Sequence, residues 1–253
     1  MKIYDLSVMM EPREKVQALG VEIEYHSHEA GGKDMLSIFR CSENDLPGGM
    51  GWATERLRLG THDGTHIDAP WHYSPTSQGV KAKSIDECPL EWFYGDGVVL
   101  DMRQKPRGSA ITVQDLNDAL KKINYRLKPG DIVCLQTGAD KYWGSREYSN
   151  MGCGLIREST LWLVEQGIKV IGTDAWGLDR PFYAISEEFV KTKNKSIIWG
   201  AHYAGMEKEY CQIEKLANLD KLPRPYGFQI ACFPVKIRAA SGAWTRVVAI
   251  FKD

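Results

Sequence analysis

The chain has 253 residues, 43% of them hydrophobic, and is long enough to bury a substantial core in one domain. Its formal net charge is −1 and its charged residues are interspersed, which excludes the basic surface typical of proteins that bind nucleic acid or anionic membranes. No stretch approaches the ~18 apolar residues of a membrane span, and the opening residues are too polar for a secretory signal, so we expect a cytoplasmic protein whose partner is a small molecule.

Short β-rich runs recur along the chain and predict nine strands. These runs begin at Lys2, Val21, Thr54, Gly97, Asp131, Lys169, Ser196, Gly227 and Thr245. Two helices are predicted as well, "TVQDLNDALKKI" with Thr112 as its N-cap and "IRESTLWLVEQG" ending at Gly167. Because most strands have no helix between them, we predict a mixed α/β class, a single domain over residues 1–253 with a largely mixed β-sheet core and few helices.

Several common chemistries have no motif in the sequence. There is no G-x-S-x-G elbow for a serine nucleophile, and neither a G-x-G-x-x-G nor a P-loop motif for nucleotides. The six cysteines are scattered without a C-x-x-C pair, which favours reduced thiols over a disulfide framework or a thiolate zinc site. Water is therefore the better candidate for a nucleophile.

The stretch "LGTHDGTHIDAPWH" contains three of the six histidines. His62 and His66 are four apart, as on a zinc-binding helix, but the glycines and the proline of this stretch disfavour a continuous helix. A fully extended chain would separate the two rings by roughly 13 Å, too far for one ion. A bend at Gly64, where positive φ is tolerated, would bring both imidazoles to one metal.

His62, His66 and Asp68 then offer two nitrogens and a carboxylate, a set that leaves a coordination position open for water, as catalytic sites do. His72 is left as a fourth ligand or a proton carrier. The alternative is that these residues form a polar turn with one or two satisfied histidines.

These residues carry a resemblance to a known family. "HDGTHIDAPWH" is similar to the pattern His-x-Gly-Thr-His-x-Asp-x-Pro-x-His of the cyclase-family metal-dependent hydrolases, which include kynurenine formamidases and isatin hydrolases. "YDLSVMM" resembles the opening strand of that family, and "TLWLVEQGIKVIGTDAWGLD" resembles its helix–strand segment ending in Gly-x-Asp. The resemblance implies a swivelling β/β/α fold and a homodimer or homotetramer.

The resemblance also implies a second metal position. In the binuclear formamidases the shared aspartate, a histidine and a glutamate twelve residues later hold the second ion, and His202 and Glu214 have that separation here. Glu207 and Glu209 are rival carboxylates. One or two divalent ions per chain are expected, and mixed nitrogen and carboxylate ligands suit Zn²⁺ or Mn²⁺.

The resemblance further implies a hydrolase that acts on carbon–nitrogen bonds other than peptide bonds. His72 would be the catalytic acid and base, and the substrate a small amide, an aryl formamide such as N-formylkynurenine. The alternatives are an isatin-hydrolase-like opener of a cyclic amide, a cyclase or lyase using the same metal site, and a metal-binding sensor without catalysis.

Substrate contacts are predicted at two further places. Trp71, inside the histidine motif, is a candidate pocket wall. In "GTDAWGLDRPF", Asp174 follows a predicted strand and is a candidate for substrate contact, while an Asp179–Arg180 salt bridge holding a turn is the simpler explanation for that pair. Three segments exceed the compact formamidases, near Glu11–Trp52, Gly138–Gly154 and Arg180–Asn194, and are predicted to form loops that set substrate choice.

Overall fold

The computed structural model describes residues 1–12 and 20–252. The chain divides into two compact units, a larger one of Met1–Met9 with Gly64–Asp253 and a smaller one of Met10–Asp63. The prediction of one domain over residues 1–253 stays a prediction. Part of the predicted loop Glu11–Trp52, residues 13–19, lies outside the described residues.

The described residues form fifteen strands and six α-helices. The strands are β1 (Lys2–Asp5), β2 (Glu22–His26), β3 (Thr54–Arg58), β4 (His66–Asp68), β5 (Thr76–Ser77), β6 (Val80–Lys81), β7 (Tyr94–Asp101), β8 (Ala110–Ile111), β9 (Ile132–Gln136), β10 (Gly154–Leu155), β11 (Val170–Thr173), β12 (Cys211–Glu214), β13 (Phe228–Ala231), β14 (Gly242–Trp244) and β15 (Val248–Phe251). The helices are α1 (His28–Phe39), α2 (Pro70–Tyr73), α3 (Val113–Lys122), α4 (Arg157–Glu165), α5 (Phe182–Thr192) and α6 (Gly200–Ala204). In the described part of the chain, no helix combines the length and the apolar character needed to cross a bilayer.

The larger unit is built on a nine-stranded mixed sheet. Its strand order is β1-β15-β13-β7-β9-β11-β12-β4-β14. The central strands β7, β9, β11 and β12 pair in parallel, and the strands on both sides of them pair antiparallel. The predicted class, mixed α/β with a mixed sheet core, is confirmed.

Side chains alternate across the central strands and fill two cores. Val98 and Leu100 of β7 join the cluster on one face, while Val99 joins the cluster on the other. Because successive strand residues point to opposite faces, a strand buried on both faces reads as a continuous apolar run. This is the pattern of "GVVLDM" and "DIVCLQT" in the sequence.

Helices α3 and α4 cover one face of the sheet and agree with the sequence prediction. Thr112 is the N-cap of α3, where its hydroxyl accepts from the Asp115 amide at 3.2 Å and the Asp115 carboxylate accepts from the Thr112 amide at 2.7 Å. Gly167 follows the C-cap of α4 with a φ of 86°, in the left-handed region that favours glycine.

The strand predicted from Ser196 is wrong, while the other eight predicted strands are present. This segment forms a 3₁₀ turn, Lys195–Ile197, followed by the short helix α6. The chain leaves the extended conformation at Trp199, whose φ is 52°, and the Asp179 carboxylate then accepts from the backbone amides of Ala201 and His202. A tertiary contact therefore overrides the β-rich local sequence.

Three other helices of the described residues, α1, the four-residue α2 and α5, were not predicted. The segment Arg180–Asn194, predicted to be a loop, contains α5, which buries Ala184 and Ile185. In the smaller unit, α1 contains two adjacent glycines that lower helix propensity. A Cβ added at Gly31 would lie 1.8 Å from the Trp52 carbonyl oxygen, so close approach requires glycine there.

Candidate metal centre

The histidine motif bends at Gly64 and then enters strand β4. Gly64 has a φ of 63°, a conformation that glycine adopts without strain, and the predicted bend at this residue is confirmed. His66 and Asp68 are two apart on β4, so their side chains point to the same face. Both are fully buried.

Strand register brings Glu214 to these two residues. β12 runs antiparallel to β4 with Glu214 opposite His66 and Gln212 opposite Asp68. The His66 Nε2 atom lies 3.0 Å from Asp68 Oδ1 and 3.6 Å from Glu214 Oε2. One ligand atom from each of His66, Asp68 and Glu214 lies within 4.8 Å of the others, close enough to hold one ion.

Helix α6 supplies His202 to the same place. Its Nε2 atom lies 3.5 Å from Glu214 Oε1 and 3.7 Å from Asp68 Oδ2. Two imidazole Nε2 atoms and two carboxylates therefore converge in a buried volume of the larger unit.

The contacts of the two Nδ1 atoms show which nitrogen of each histidine carries the hydrogen, and so whether Nε2 can bind a metal. His66 Nδ1 lies 2.9 Å from the Gly64 carbonyl oxygen, and because a carbonyl only accepts, Nδ1 carries the hydrogen. His202 Nδ1 lies 2.5 Å from Asp179 Oδ2, again an acceptor. In each neutral ring the Nε2 lone pair is therefore directed at the carboxylates, as in metal sites where a carbonyl or a carboxylate orients the histidine. The donor set fits a divalent cation.

The electrostatics of the site favour added positive charge. Burial acts to lower the pKa of His202, but Asp179, Asp68 and Glu214 together raise that pKa well above the usual 6.5. Burial and the charge of Asp68 act to raise the pKa of Glu214, yet Lys215 and the two histidines bring it below its usual value. The Glu214 carboxylate is thus ionised, and the site attracts positive charge, either a second proton on His202 or a divalent ion bonded to Nε2 in place of that proton.

Lys215 is a buried cation beside the site. Its Nζ atom lies 3.4 Å from Glu214 Oε2 and 4.9 Å from the centre of the Trp176 ring. Its carbonyl oxygen accepts from the Thr65 hydroxyl at 2.6 Å, which links the histidine motif to the end of β12. No motif in the sequence pointed to Lys215.

His72 lies on the edge of this cluster. It belongs to α2 and is half-buried, and one of its ring nitrogens lies within 4.8 Å of an Asp68 oxygen. Its ring is 5.6 Å from the ring of His202 and 5.3 Å from that of Trp199, both edge-on. Trp71, the preceding residue, is 39% exposed, and its contact with substrate stays a prediction.

His62 belongs to the smaller unit, two residues before Gly64, and is half-buried. Since only three residues separate it from His66, the chain keeps the two histidines near each other. Its role as a metal ligand stays a prediction.

Of the three candidate glutamates, Glu214 lies in the metal cluster, while Glu207 and Glu209 pair with basic side chains elsewhere. Glu207 forms a two-pronged ion pair with Arg157, and Glu209 pairs with Lys83 at 2.6 Å. Neither occurs among the groups of side chains that could hold an ion within the described residues, whereas Glu214 does.

Asp174 and Asp179 are both buried. Asp174 accepts from the Thr137 amide and hydroxyl and from the Gly138 amide, contacts that hold a loop, and its contact with substrate stays a prediction. The predicted Asp179–Arg180 salt bridge is wrong, because Asp179 pairs with His202 whereas Arg180 pairs with Glu188 at 2.5 Å.

A family model that matches most of the chain shows which family the chain belongs to. The family described as "Putative cyclase" matches residues 4–180, well over half of the chain. The chain belongs to the cyclase family. That match includes the whole histidine motif and ends before His202 and Glu214.

Relatives of this cyclase-family chain include two named hydrolases. A kynurenine formamidase from Erythrobacter litoralis is 28% identical over 72% of this chain and 69% of its own length. An isatin hydrolase from Roseibium aggregatum is 25% identical over 85% of this chain and 81% of its own. Both names describe hydrolysis of a carbon–nitrogen bond outside a peptide, which supports the predicted enzyme class.

The fold is also that of solved family members. The structure of isatin hydrolase A from Labrenzia aggregata, bound to benzyl benzoate, superposes with a TM-score of 0.76 at 23% identity, covering 100% of this chain and 94% of that one. This likeness confirms the predicted fold class.

Proposed function

We propose that this protein is a metal-dependent hydrolase of a small amide, similar in reaction to an arylformamidase. The observation that carries the proposal is the convergence of His66 Nε2, His202 Nε2 and two buried carboxylates, with each Nδ1 held by an acceptor. A bound divalent ion, Zn²⁺ or Mn²⁺, would supply an acidified water and would polarise the substrate carbonyl.

The ligands divide into two sets that share Asp68. His62 and His66 would hold one ion and His202 and Glu214 the other, with Asp68 contributing to both. Asp68 is suited to this role because its two oxygens face different histidines, Oδ1 towards His66 and Oδ2 towards His202. If one ion binds, the remaining pair is available to orient water.

His72 is the proposed proton carrier. Its ring nitrogen would accept the proton of the attacking water and donate it to the amine nitrogen as the carbon–nitrogen bond breaks. The aromatic rings of Trp199 and His202 pack edge-on against the imidazole. No protein nucleophile is needed.

The proposed substrate is an aryl formamide such as N-formylkynurenine. The relative named kynurenine formamidase supports this choice, and the relative named isatin hydrolase supports a cyclic amide as the second candidate. A cyclase or lyase would give a product of unchanged mass, whereas hydrolysis adds one water. A cytoplasmic location and a homodimer or homotetramer complete the proposal.

The test is turnover of N-formylkynurenine by protein loaded with Zn²⁺ or Mn²⁺, with isatin assayed in parallel and products identified by mass. The His72→Ala variant should lose about 10²- to 10⁴-fold in kcat while keeping its metal, because the proton carrier is lost but the ligands remain. His72→Gln is the matched variant that keeps most of the side-chain volume.

Three outcomes would contradict parts of the proposal. Hydrolysis of isatin alone would reject the formamide substrate and keep the reaction class. A product of unchanged mass would establish a cyclase or lyase. A His72→Ala variant with metal content and turnover equal to the wild type would reject the role of His72.

A further inference from the structure

The segment Gly177–Asp179, two residues before the start of α5, contacts two of the proposed metal ligands. The Leu178 amide donates to Glu214 Oε1 at 3.2 Å. The next residue, Asp179, contacts His202 at 2.5 Å. One short segment therefore meets a histidine and a carboxylate that approach from different secondary structures.

Asp179 makes three contacts with α6. Its Oδ1 accepts from the Ala201 amide at 2.9 Å, and its Oδ2 accepts from the His202 amide at 3.2 Å and lies 2.5 Å from His202 Nδ1. The side chain is buried, so this carboxylate interacts with α6 in place of solvent. It fixes both the backbone position and the ring orientation of His202.

The position of Asp179 is itself fixed by close backbone packing. The Leu155 amide donates to the Leu178 carbonyl at 2.9 Å, and Leu155 and Asp179 form a parallel β-bridge. A Cβ added at Gly154 would lie 2.2 Å from the Asp179 carbonyl carbon. Only glycine fits there, which leaves Asp179 little freedom to move.

Gly177, the first residue of the segment, lies against Glu214 and helps to position it. A Cβ added at Gly177 would lie 3.2 Å from Glu214 Oε1, the oxygen that accepts from the Leu178 amide. A larger residue would therefore compete for the space of that oxygen. Gly177 and Leu178 position the glutamate as Asp179 positions the histidine.

We propose that Asp179 is the positioning residue of the metal centre: it holds the hydrogen of His202 on Nδ1 and so presents the Nε2 lone pair to the ion. This inference rests on the proposed metal centre but not on the proposed substrate. Loss of a carboxylate that orients a metal-bound histidine typically costs about 10- to 100-fold in metal affinity.

The Asp179→Asn variant tests this role with little change in volume. Its amide oxygen can still accept from the Ala201 amide, as Oδ1 does. The NH₂ group would then take the place of Oδ2, where it no longer accepts from the His202 amide and donates to His202 Nδ1. The imidazole hydrogen would move to Nε2, where it blocks coordination. We expect Mn²⁺ binding, measured by calorimetry and by metal content, to weaken at least 10-fold, with Asp179→Glu recovering part of the loss.

Asp131→Asn is the matched control. Asp131 is an equally buried carboxylate that accepts from Lys128 and Tyr125 before β9 and touches none of the proposed ligands. It should bind Mn²⁺ as the wild type does. A lower melting temperature of Asp179→Asn without metal would not prevent the comparison. The rise in melting temperature on adding saturating Mn²⁺ still reports the affinity for Mn²⁺, and this rise should be smaller in the variant than in the wild type.

An Asp179→Asn variant that binds Mn²⁺ with wild-type affinity and stoichiometry would overturn the inference. Wild-type protein that binds neither Mn²⁺ nor Zn²⁺ would instead reject the metal centre itself. Wild-type protein that binds metal but hydrolyses no amide would reject the proposed function and leave the role of Asp179 to be decided by the binding measurements.

Discussion

The two halves of the proposed metal centre are built in different ways. His66 and Asp68 come from one three-residue strand, so their relative position is set by the chain's local geometry. His202 and Glu214 come from a short helix and a strand, and they reach the site through the pairing of β12 with β4 and through Asp179. The first half depends on neighbouring residues and the second on tertiary structure.

This difference predicts different responses to mutation. A substitution far along the chain from the histidine motif can displace the second half by changing what holds α6 or β12. The first half should tolerate such changes, because Gly64 and β4 fix it locally. Asp68 and Glu214 are the exceptions, since the two oxygens of each carboxylate face histidines of both halves.

The largest effect is expected for Asp68→Asn. The amide removes the charge that both halves share, and its NH₂ group would direct hydrogens towards a ligand nitrogen. We expect metal affinity to fall by more than about 100-fold, beyond the loss typical of a residue that only orients a ligand, and turnover to fall with it. Metal content and kcat/KM measure the effect, with Asp131→Asn as the control. Full metal content in Asp68→Asn would show that the halves do not depend on a shared carboxylate.

A second test uses a buried carboxylate outside both halves. Burial raises the pKa of Asp174 from 3.8 to about 7, although the bonds from Thr137 and Gly138 act to lower it. The protonated form is therefore favoured in the folded state, and stability should fall as pH rises from about 4 to about 7, by up to ~4 kcal/mol. Asp174→Asn cannot titrate, so it should remove this pH dependence. The free energy of unfolding of the variant minus that of the wild type should therefore rise as the pH increases from about 4 to about 7.

Denaturant unfolding of both proteins between pH 4 and pH 8 measures this difference. A constant difference across the range would mean that Asp174 does not titrate there. Metal affinity at a fixed pH should be the same in the two proteins, since Asp174 contacts a loop and none of the proposed ligands.

The smallest effect is expected for Thr65, whose hydroxyl links the histidine motif to the end of β12. The Thr65 hydroxyl donates to the Lys215 carbonyl at 2.6 Å and accepts from the Val8 amide at 2.9 Å. Thr65→Val keeps the shape but leaves two backbone groups without this partner, which should lower the free energy of unfolding by about 1–3 kcal/mol. Thr65→Ser, which keeps the hydroxyl, should retain most of the stability. Equal losses in both variants would assign the effect to packing of the methyl group.

The sequence predicts the fold wherever local pattern and tertiary packing agree. α3 begins at the N-cap that Thr112 predicts, and α4 ends where the left-handed Gly167 predicts. α5 and α6 were missed for physical reasons. α5 lies in a segment that looked like a surplus loop, and α6 is capped by Asp179 from another part of the chain.

For the site, too, the sequence predicts what local geometry sets and misses what tertiary structure sets. The spacing around Gly64 predicts a bend and a ligand cluster from the residues alone. His202 and Glu214 could be named only through the resemblance, because nothing in their local sequence shows that β12 places Glu214 opposite His66. The partner of Asp179 is 23 positions along the chain, so its contact could not be read from the sequence either.

Anomalous diffraction from crystals grown with Zn²⁺, collected on both sides of the zinc absorption edge, tests the metal centre most directly. We expect a peak bonded to an Asp68 oxygen and to His66 Nε2 or His202 Nε2 at ~2.0–2.2 Å, with a second peak sharing Asp68 if two ions bind. Zinc bound elsewhere on the protein while Asp68, His66 and His202 remain without it would reject the proposed metal centre.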